Sequence, residues 1–119
     1  MAFRNLMLAA SLAAAMPALA GAMDGVIGNT LKLTTRGHTI AYMFRADHSL
    51  TALVGGRTRM EGKWRLAGDT LCLRLGMQGI MGPETCIPAI PSDKGPGDQW
   101  DMTVNGTTTH AQIVAGAVG

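Results

Sequence analysis

The sequence has few aromatic side chains: two tryptophans, two phenylalanines and one tyrosine in 119 residues. Because Phe3 belongs to the N-terminal segment, the core of the folded part must be mainly aliphatic. No stretch keeps the 3.6-residue hydrophobic period of a helix, and there is no internal repeat or low-complexity linker. These absences argue against a helical or repeat protein and leave a single β-rich domain.

The sequence also lacks an excess of charge of either sign. Ten Lys and Arg against eight Asp and Glu give a formal net charge of +2, which falls to +1 if Arg4 is removed with a signal peptide. This balance gives no reason to expect nucleic acid as a partner. No cofactor motif is present either, so no cofactor is expected.

The N-terminal segment has the features of an export signal. Arg4 is followed by an apolar run at 6–15 and then by small residues up to Ala20. The run is shorter than the roughly 20 apolar residues of a membrane-spanning helix, and no later segment is long enough. We therefore expect a signal peptide at 1–20, cut after Ala20 or Ala22. The mature domain at 21–119 is then periplasmic or secreted and has no transmembrane segment.

The mature part contains two cysteines, Cys72 and Cys86. Export to an oxidising compartment makes a disulfide between them the default, and closing so short a loop stabilises the fold by on the order of 3 kcal/mol. A redox pair or half of a metal site is the alternative. The spacing is not CxxC, however, and no histidine lies nearby.

Short runs rich in Thr, Val, Ile and Leu alternate with clusters of Gly, Asp, Asn and Pro, which is typical of strands joined by tight turns. Residues 23–29 could instead form one helical turn. We predict strands at 29–34, 38–45, 49–54, 58–66, 69–75, 84–90, 99–104 and 107–114.

Three hairpins can be given a register from their turns. Asn105-Gly106 is a strong two-residue turn signal, which sets Asp101 opposite His110. A turn at Ala67-Gly68 sets Trp64 opposite Leu71. In the third hairpin, a loop at 76–83 centred on Gly79 sets Cys72 opposite Cys86, within disulfide range. Pro88 cannot donate to a ladder, so strand 84–90 is predicted at an edge or a bulge.

Eight short antiparallel strands predict an all-β fold: a small meander closing as a compact barrel, or alternatively a two-sheet sandwich, with one disulfide. The inward-facing side chains are expected to fill the interior. They are Ile40, Tyr42, Phe44, Met60, Trp64, Leu66, Leu71, Leu73, Leu75, Ile87, Trp100, Met102 and Val104.

Four short motifs are spread along the mature chain: Gly28-Asn29-Thr30, Gly62-Lys63-Trp64, Gly68-Asp69-Thr70-Leu71-Cys72 and the second cysteine, Cys86. In these motifs the chain resembles short exported proteins of Gram-negative bacteria that have no assigned function. The resemblance implies a β-rich periplasmic domain and brings no catalytic residue with it. It departs at the turn after Asp47, where the pattern has glycine and this chain has His48.

Candidate catalytic and metal-binding side chains are scattered. The spacing of His38, His48 and His110 does not bring them together as metal ligands. Asp101 opposite His110 has the composition of a dyad, but no nucleophile motif accompanies it. Met77 and Met81 carry thioethers that suit Cu(I), but no third ligand is evident. We expect neither a catalytic site nor a metal site.

Five basic residues form the most distinctive predicted surface, which we call the basic stripe. They are expected on one outer face, with Arg74 opposite Glu61, and they are Arg57, Arg59, Lys63, Arg65 and Arg74. The stripe is a candidate contact for an acidic envelope component or a protein partner. A solvated face that blocks edge aggregation is the alternative.

We therefore expect a non-enzymatic exported β-domain that acts by binding or by contact with the cell envelope. Two alternatives stay open. The GxW strand is loosely similar to a motif of small periplasmic metalloprotease inhibitors, which makes an inhibitor-like barrel one of them. A barrel that holds a small apolar ligand is the other.

Overall fold

The computed structural model describes residue 21 and residues 23–117, so the predicted export signal lies outside the described residues. Within this part the regular structure is entirely β-strand. No helix in it is long and apolar enough to cross a bilayer. The strands are β1 (Thr30–Thr35), β2 (His38–Phe44), β3 (Ser49–Val54), β4 (Thr58–Ala67), β5 (Thr70–Met77), β6 (Ile80–Pro88), β7 (Gln99–Val104) and β8 (Thr107–Val114).

The strands form one antiparallel sheet in the order β6-β5-β4-β3-β2-β1-β8-β7. Each strand pairs with its neighbour in sequence except across β6 and β7. A long-range pairing joins β1 to β8, with Leu31 opposite Ile113. The sheet curls until β6 and β7 touch without forming a ladder. The predicted all-β meander is confirmed, as a half-barrel with a seam between its two edge strands.

The antiparallel meander gathers its connections at two ends. The turns β1–β2, β3–β4, β5–β6 and β7–β8 lie at one end, which we call the open end. The other connections lie at the opposite end, which we call the closed end. There, residues 23–29 and the loop at 89–98 cover the interior, and Val26 and Ile90 are fully buried.

The closed end holds the tightly packed core. Phe44, Leu50, Leu71 and Ile113 are almost completely buried there, and Phe44 meets Trp64 edge to face with ring centroids 6.0 Å apart. Edge-to-face rings satisfy the aromatic quadrupoles while excluding water. This layer anchors the fold, whereas the inward side chains near the open end are only partly buried.

Two predicted hairpin registers are confirmed. Asp101 lies opposite His110 around the Asn105-Gly106 turn, whose residues both have positive φ. Cys72 lies opposite Cys86 and is bonded to it, with a Cα–Cα distance of 4.0 Å. The strand that contains Pro88 is an edge strand, as predicted.

The predicted β4–β5 register is wrong by two residues. Trp64 lies opposite Leu73, because the central turn residues are Gly68 and Asp69. Gly68 has a φ of 63°, and glycine at the first central position favours this kind of tight turn. A shift of two residues keeps each side chain on its predicted face. The cross-strand partner of Arg74 does change: it is Lys63, whereas Glu61 was predicted.

The loop predicted at 76–83 is largely strand. β5 and β6 continue to a two-residue turn at Gln78-Gly79, with φ values of 53° and 83°, after a bulge between Arg74 and Gly76. Gly76 is inside the ladder because the β6 backbone passes close by: a Cβ there would lie 2.2 Å from the Ile80 carbonyl oxygen. A glycine that predicts a turn is here a site of close backbone approach.

Candidate functional site: the open end of the half-barrel

The basic stripe is distributed over the outer face of β4 and β5. Arg59, Lys63 and Arg65 alternate along β4, and Arg57 lies in the turn before it. Arg74 lies on β5 directly across from Lys63. All five residues are exposed.

Internal contacts engage much of the positive charge of the stripe. Arg65 donates two hydrogen bonds of 2.8 Å to Glu84, and this contact lowers the pKa of the Glu84 carboxyl below its ordinary value. Arg74 donates to the Gly82 carbonyl oxygen. Glu61 lies within ion-pair distance of both Arg59 and Arg45. A surface whose cations already have partners offers less net attraction to an anionic polymer.

The Cys72–Cys86 disulfide ties β6 to β5 on this outer face. Cys72 is buried and Cys86 is exposed. Together with Glu84 they form the one cluster of potential metal ligands found among the described residues. Both sulfurs are consumed by the disulfide, so neither is a thiolate that could bind a metal.

The three histidines have separate surroundings. His38 lies at the open end beside an interior cavity. His48 lies at the closed end, where its ring stacks on Trp64 with centroids 4.2 Å apart. His110 lies on the outer face of β8.

His110 and Asp101 form an exposed polar contact across β7 and β8. The His110 Nδ1 atom lies 2.8 Å from Asp101 Oδ1, and its Nε2 atom lies 2.9 Å from Gln99 Oε1. Both ring nitrogens therefore have a polar partner, and no hydroxyl or thiol is among these partners. A general base needs a free nitrogen facing a nucleophile or substrate, which this arrangement does not present.

The interior is not filled at the open end. Two cavities of about 310 Å³ and 210 Å³ lie between the curled strands and share Tyr42, Thr85 and Ile87 as walls. The larger is completed by Met60, Leu73, Leu75, Gly82 and Pro83. The smaller is completed by Leu33, Thr35, His38, Ile40, Val104 and Thr109. The expectation that the inward side chains fill the interior therefore holds only for the closed end.

Tyr42 supplies a polar group in this mainly apolar space. The residue is 8% exposed, and its hydroxyl has no hydrogen-bond partner among the described residues but is still reachable by water. Burial raises the pKa of the phenol, so it is neutral and can donate a hydrogen bond. The hydroxyls of Thr35 and Thr109, in contrast, bond to each other at 2.8 Å. An apolar cavity with a few polar side chains in its wall is the usual composition of a small-molecule site.

The rim of the open end combines cationic and apolar side chains. Arg36 and Arg57 lie in its turns, and their side chains form no ion pair or hydrogen bond with another described residue. The tip of the β5–β6 hairpin exposes three large apolar side chains: Met77 (48%), Ile80 (77%) and Met81 (42%).

A surface groove of about 600 Å³ lies beside this tip. β4 and β5 separate after the pair Glu61–Gly76, so the hairpin diverges from the outer face of β4. One wall of the groove carries Arg59 and Lys63, and the other carries Met77 and Met81. The groove is therefore amphipathic.

Comparisons of the chain with protein-family models, with curated proteins and with solved structures give no match. The resemblance to exported Gram-negative proteins stays a prediction. Sequence reasoning did not find Thr85, Thr109 or His38 as cavity walls. The one available signal for cavity walls was the presence of inward-facing threonines in the predicted strands. These threonines indicate a cavity only when the curl of the sheet is known.

Proposed function

We propose that this protein binds a small, elongated and mainly apolar molecule with its open end. The apolar part of the ligand occupies the interior cavities, and its polar end accepts a hydrogen bond from Tyr42 or meets the rim cations. This is a non-enzymatic binding function, in keeping with the expectation from the sequence.

The observation that carries the proposal is the unpartnered hydroxyl of Tyr42 inside an unfilled apolar space. No fully buried side-chain oxygen or nitrogen among the described residues lacks a partner, so this hydroxyl keeps contact with water, and an acceptor on a ligand could replace that water. Partly buried Met60, Leu75 and Ile40 beside it add apolar surface that remains accessible to water. An apolar ligand with one acceptor would cover this apolar surface and take up the hydrogen bond of the hydroxyl.

The predicted export signal and the disulfide support a periplasmic or secreted location for this activity. A disulfide persists in oxidising compartments, and an apolar molecule that moves through the aqueous periplasm needs a protein to shield it. We include this location in the proposal, together with membership of the exported group that the motifs resemble.

Binding can be tested with a series of straight-chain alcohols of increasing length, using displacement of a fluorescent apolar probe. Each methylene that enters the cavity contributes about 0.8 kcal/mol, so the affinity should rise about fourfold per carbon and then level off. The plateau reports the length at which the cavity is full. Affinities that do not depend on chain length would contradict the proposal.

A cavity-filling variant, Thr85→Trp, gives the decisive control. Thr85 is on an exposed edge strand but faces the cavity, so an indole there should occupy ligand space without a packing clash elsewhere. We expect about a tenfold loss of affinity, equivalent to about two methylene groups of burial. Thr103→Trp, on the outer face of the other edge strand, should bind like the wild type. Equal binding by both variants would place the ligand elsewhere.

A further inference from the structure

We propose that the open end docks on a lipid bilayer that contains anionic lipids, with the tip of the β5–β6 hairpin inserted among the headgroups. This docking is a separate property from ligand binding in the cavity. It needs only the outer surface of the hairpin and the adjoining rim.

The hairpin tip has the exposed apolar surface that insertion requires. Ile80 is 77% exposed, and Met77, which pairs with it across the turn, is 48% exposed. Single exposed apolar residues are common on proteins, but here they adjoin one another at the end of a ribbon that diverges from β4. A tight two-residue turn at Gln78-Gly79 keeps the tip narrow enough to enter a headgroup layer.

Charge complementarity favours a bilayer with anionic lipids as the occupant. Lys63 lies in the wall of the 600 Å³ groove beside the tip and is close enough to Asp47 to interact with its charge, but it forms no ion pair among the described residues. Arg57 lies in the neighbouring turn and also lacks one. Glu61, the acidic residue in this groove, accepts a hydrogen bond from Thr51 and lies 3.5 Å from Arg45. An apolar tip flanked by available cations is the combination that peripheral proteins use at anionic membranes.

The groove itself fits a lipid headgroup better than a flat protein surface would. Its cationic wall faces its methionine wall, so a phosphate can lie on one side while the first methylenes of the acyl chains lie on the other. A second copy of this chain, held tip to tip, is the competing occupant for the apolar residues. Two copies would bring Arg57 and Lys63 of each chain towards like charges, which disfavours that arrangement.

Vesicle co-sedimentation of the disulfide-bonded protein tests the docking. Vesicles of mixed phosphatidylethanolamine and phosphatidylglycerol should bind the protein, and phosphatidylcholine vesicles should bind it much less. Ile80→Asp removes apolar contact and adds a repelled charge, so we expect the partition coefficient to fall by about tenfold or more. Because Ile80 is so exposed, the variant should fold normally. Thr103→Asp makes the same charge change on the outer face of β7 and should bind like the wild type.

The cationic contribution can be measured separately. Arg57→Gln and Lys63→Gln should each lower partition into the anionic vesicles by about fivefold, and added salt should have a smaller effect on each variant than on the wild type. Lys32→Gln, on the outer face of β1, removes a charge remote from the tip and should have little effect.

Two results would overturn the docking proposal. One is equal sedimentation of wild type and Ile80→Asp with anionic vesicles. The other is a dimer in solution that Ile80→Asp converts to a monomer, which would make a second copy the occupant. Binding of apolar alcohols by Ile80→Asp should match the wild type, so failure of the docking and failure of the cavity proposal are distinguishable.

Discussion

His48 occupies a left-handed backbone position that glycine would adopt without strain. Its φ is 73°, a value uncommon for residues that have a Cβ atom. Two contacts hold it there: its ring stacks on Trp64 with planes 9° apart, and its Nδ1 atom lies 3.0 Å from the Trp64 carbonyl oxygen. The expectation of glycine at this turn therefore has a physical basis. His48 accepts a strained backbone conformation, and its ring covers Trp64 in return.

Substitution of His48 separates the backbone cost from the side-chain gain. His48→Ala keeps the strained φ and loses the stacking, so we expect a loss of about 1–2 kcal/mol in the free energy of unfolding. His48→Gly also loses the stacking but removes the strain, and should be about 1 kcal/mol more stable than the alanine variant. Urea unfolding measures both. If alanine proves as stable as glycine, the backbone at 48 is not strained.

Gly62 is fixed by close approach of two strands. A Cβ at this position would lie 1.9 Å from the Arg74 carbonyl oxygen, a backbone atom that cannot swing aside. The glycine in the GxW strand thus allows β4 and β5 to cross tightly, directly opposite Leu75.

We expect Gly62→Ala to destabilise the protein by about 1–3 kcal/mol, because the two strands must move apart. Gly95→Ala is a suitable control, since nothing lies within 4 Å of a Cβ there and its φ is ordinary. Thermal unfolding of the two variants should differ clearly. A Gly62→Ala variant as stable as Gly95→Ala would show that the β4–β5 crossing relaxes freely.

At the scale of the strand, turn chemistry and alternation predicted most of what was found. All eight strands exist, and the Asn105-Gly106 and Cys72–Cys86 pairings have their predicted register. The two-residue error in β4–β5 left the side-chain faces intact because the side-chain period of a strand is two.

The errors arise where one residue type has two structural uses. Gly76 predicts a loop by its flexibility, yet it is in the ladder because a neighbouring strand leaves no room for a side chain. Leu66 alternates correctly for the inner face but is 41% exposed, since it lies at the end of β4 beside the turn. Neither distinction is visible without the positions of the neighbouring strands.

The disulfide adds a covalent restraint to the edge strand β6, which has one ladder partner. Replacing Cys72 and Cys86 together by alanine should lower the free energy of unfolding by about 3 kcal/mol, the loop-closure contribution for so short a loop. Chemical denaturation of the double variant, and of the wild type with and without reductant, measures this. A stability unchanged by reductant would mean that the ladder alone holds β6.

At the scale of the whole molecule, the curl of the sheet and the unfilled open end could not be predicted. Hydrophobic alternation shows which face is inward but carries no information on how far a sheet closes. The β1–β8 pairing and the seam between β6 and β7 decide whether the inward side chains meet. The cavity exists because the inward side chains meet at the closed end and stay apart at the open end.

Hydrogen exchange should follow this division of the molecule. Amides of β3 and β4, which are paired on both sides, should be the most protected, and those of β6 and β7 should exchange through local opening of the seam. A saturating cavity ligand should slow exchange in β6 and β7 selectively. Uniform protection across the sheet, or slowing confined to β3 and β4, would contradict this picture.

The pairing of β1 with β8 also has a consequence for the order of folding. Thr30 Oγ1 donates to the carbonyl oxygen of Gly116, 86 residues further along the chain. β1 therefore gains its second neighbour only when the last strand is present, and closing so large a loop is slow. During synthesis, one edge of β1 stays unpaired until the residues of β8 have been made. That interval is when the protein is most open to aggregation and in most need of a chaperone.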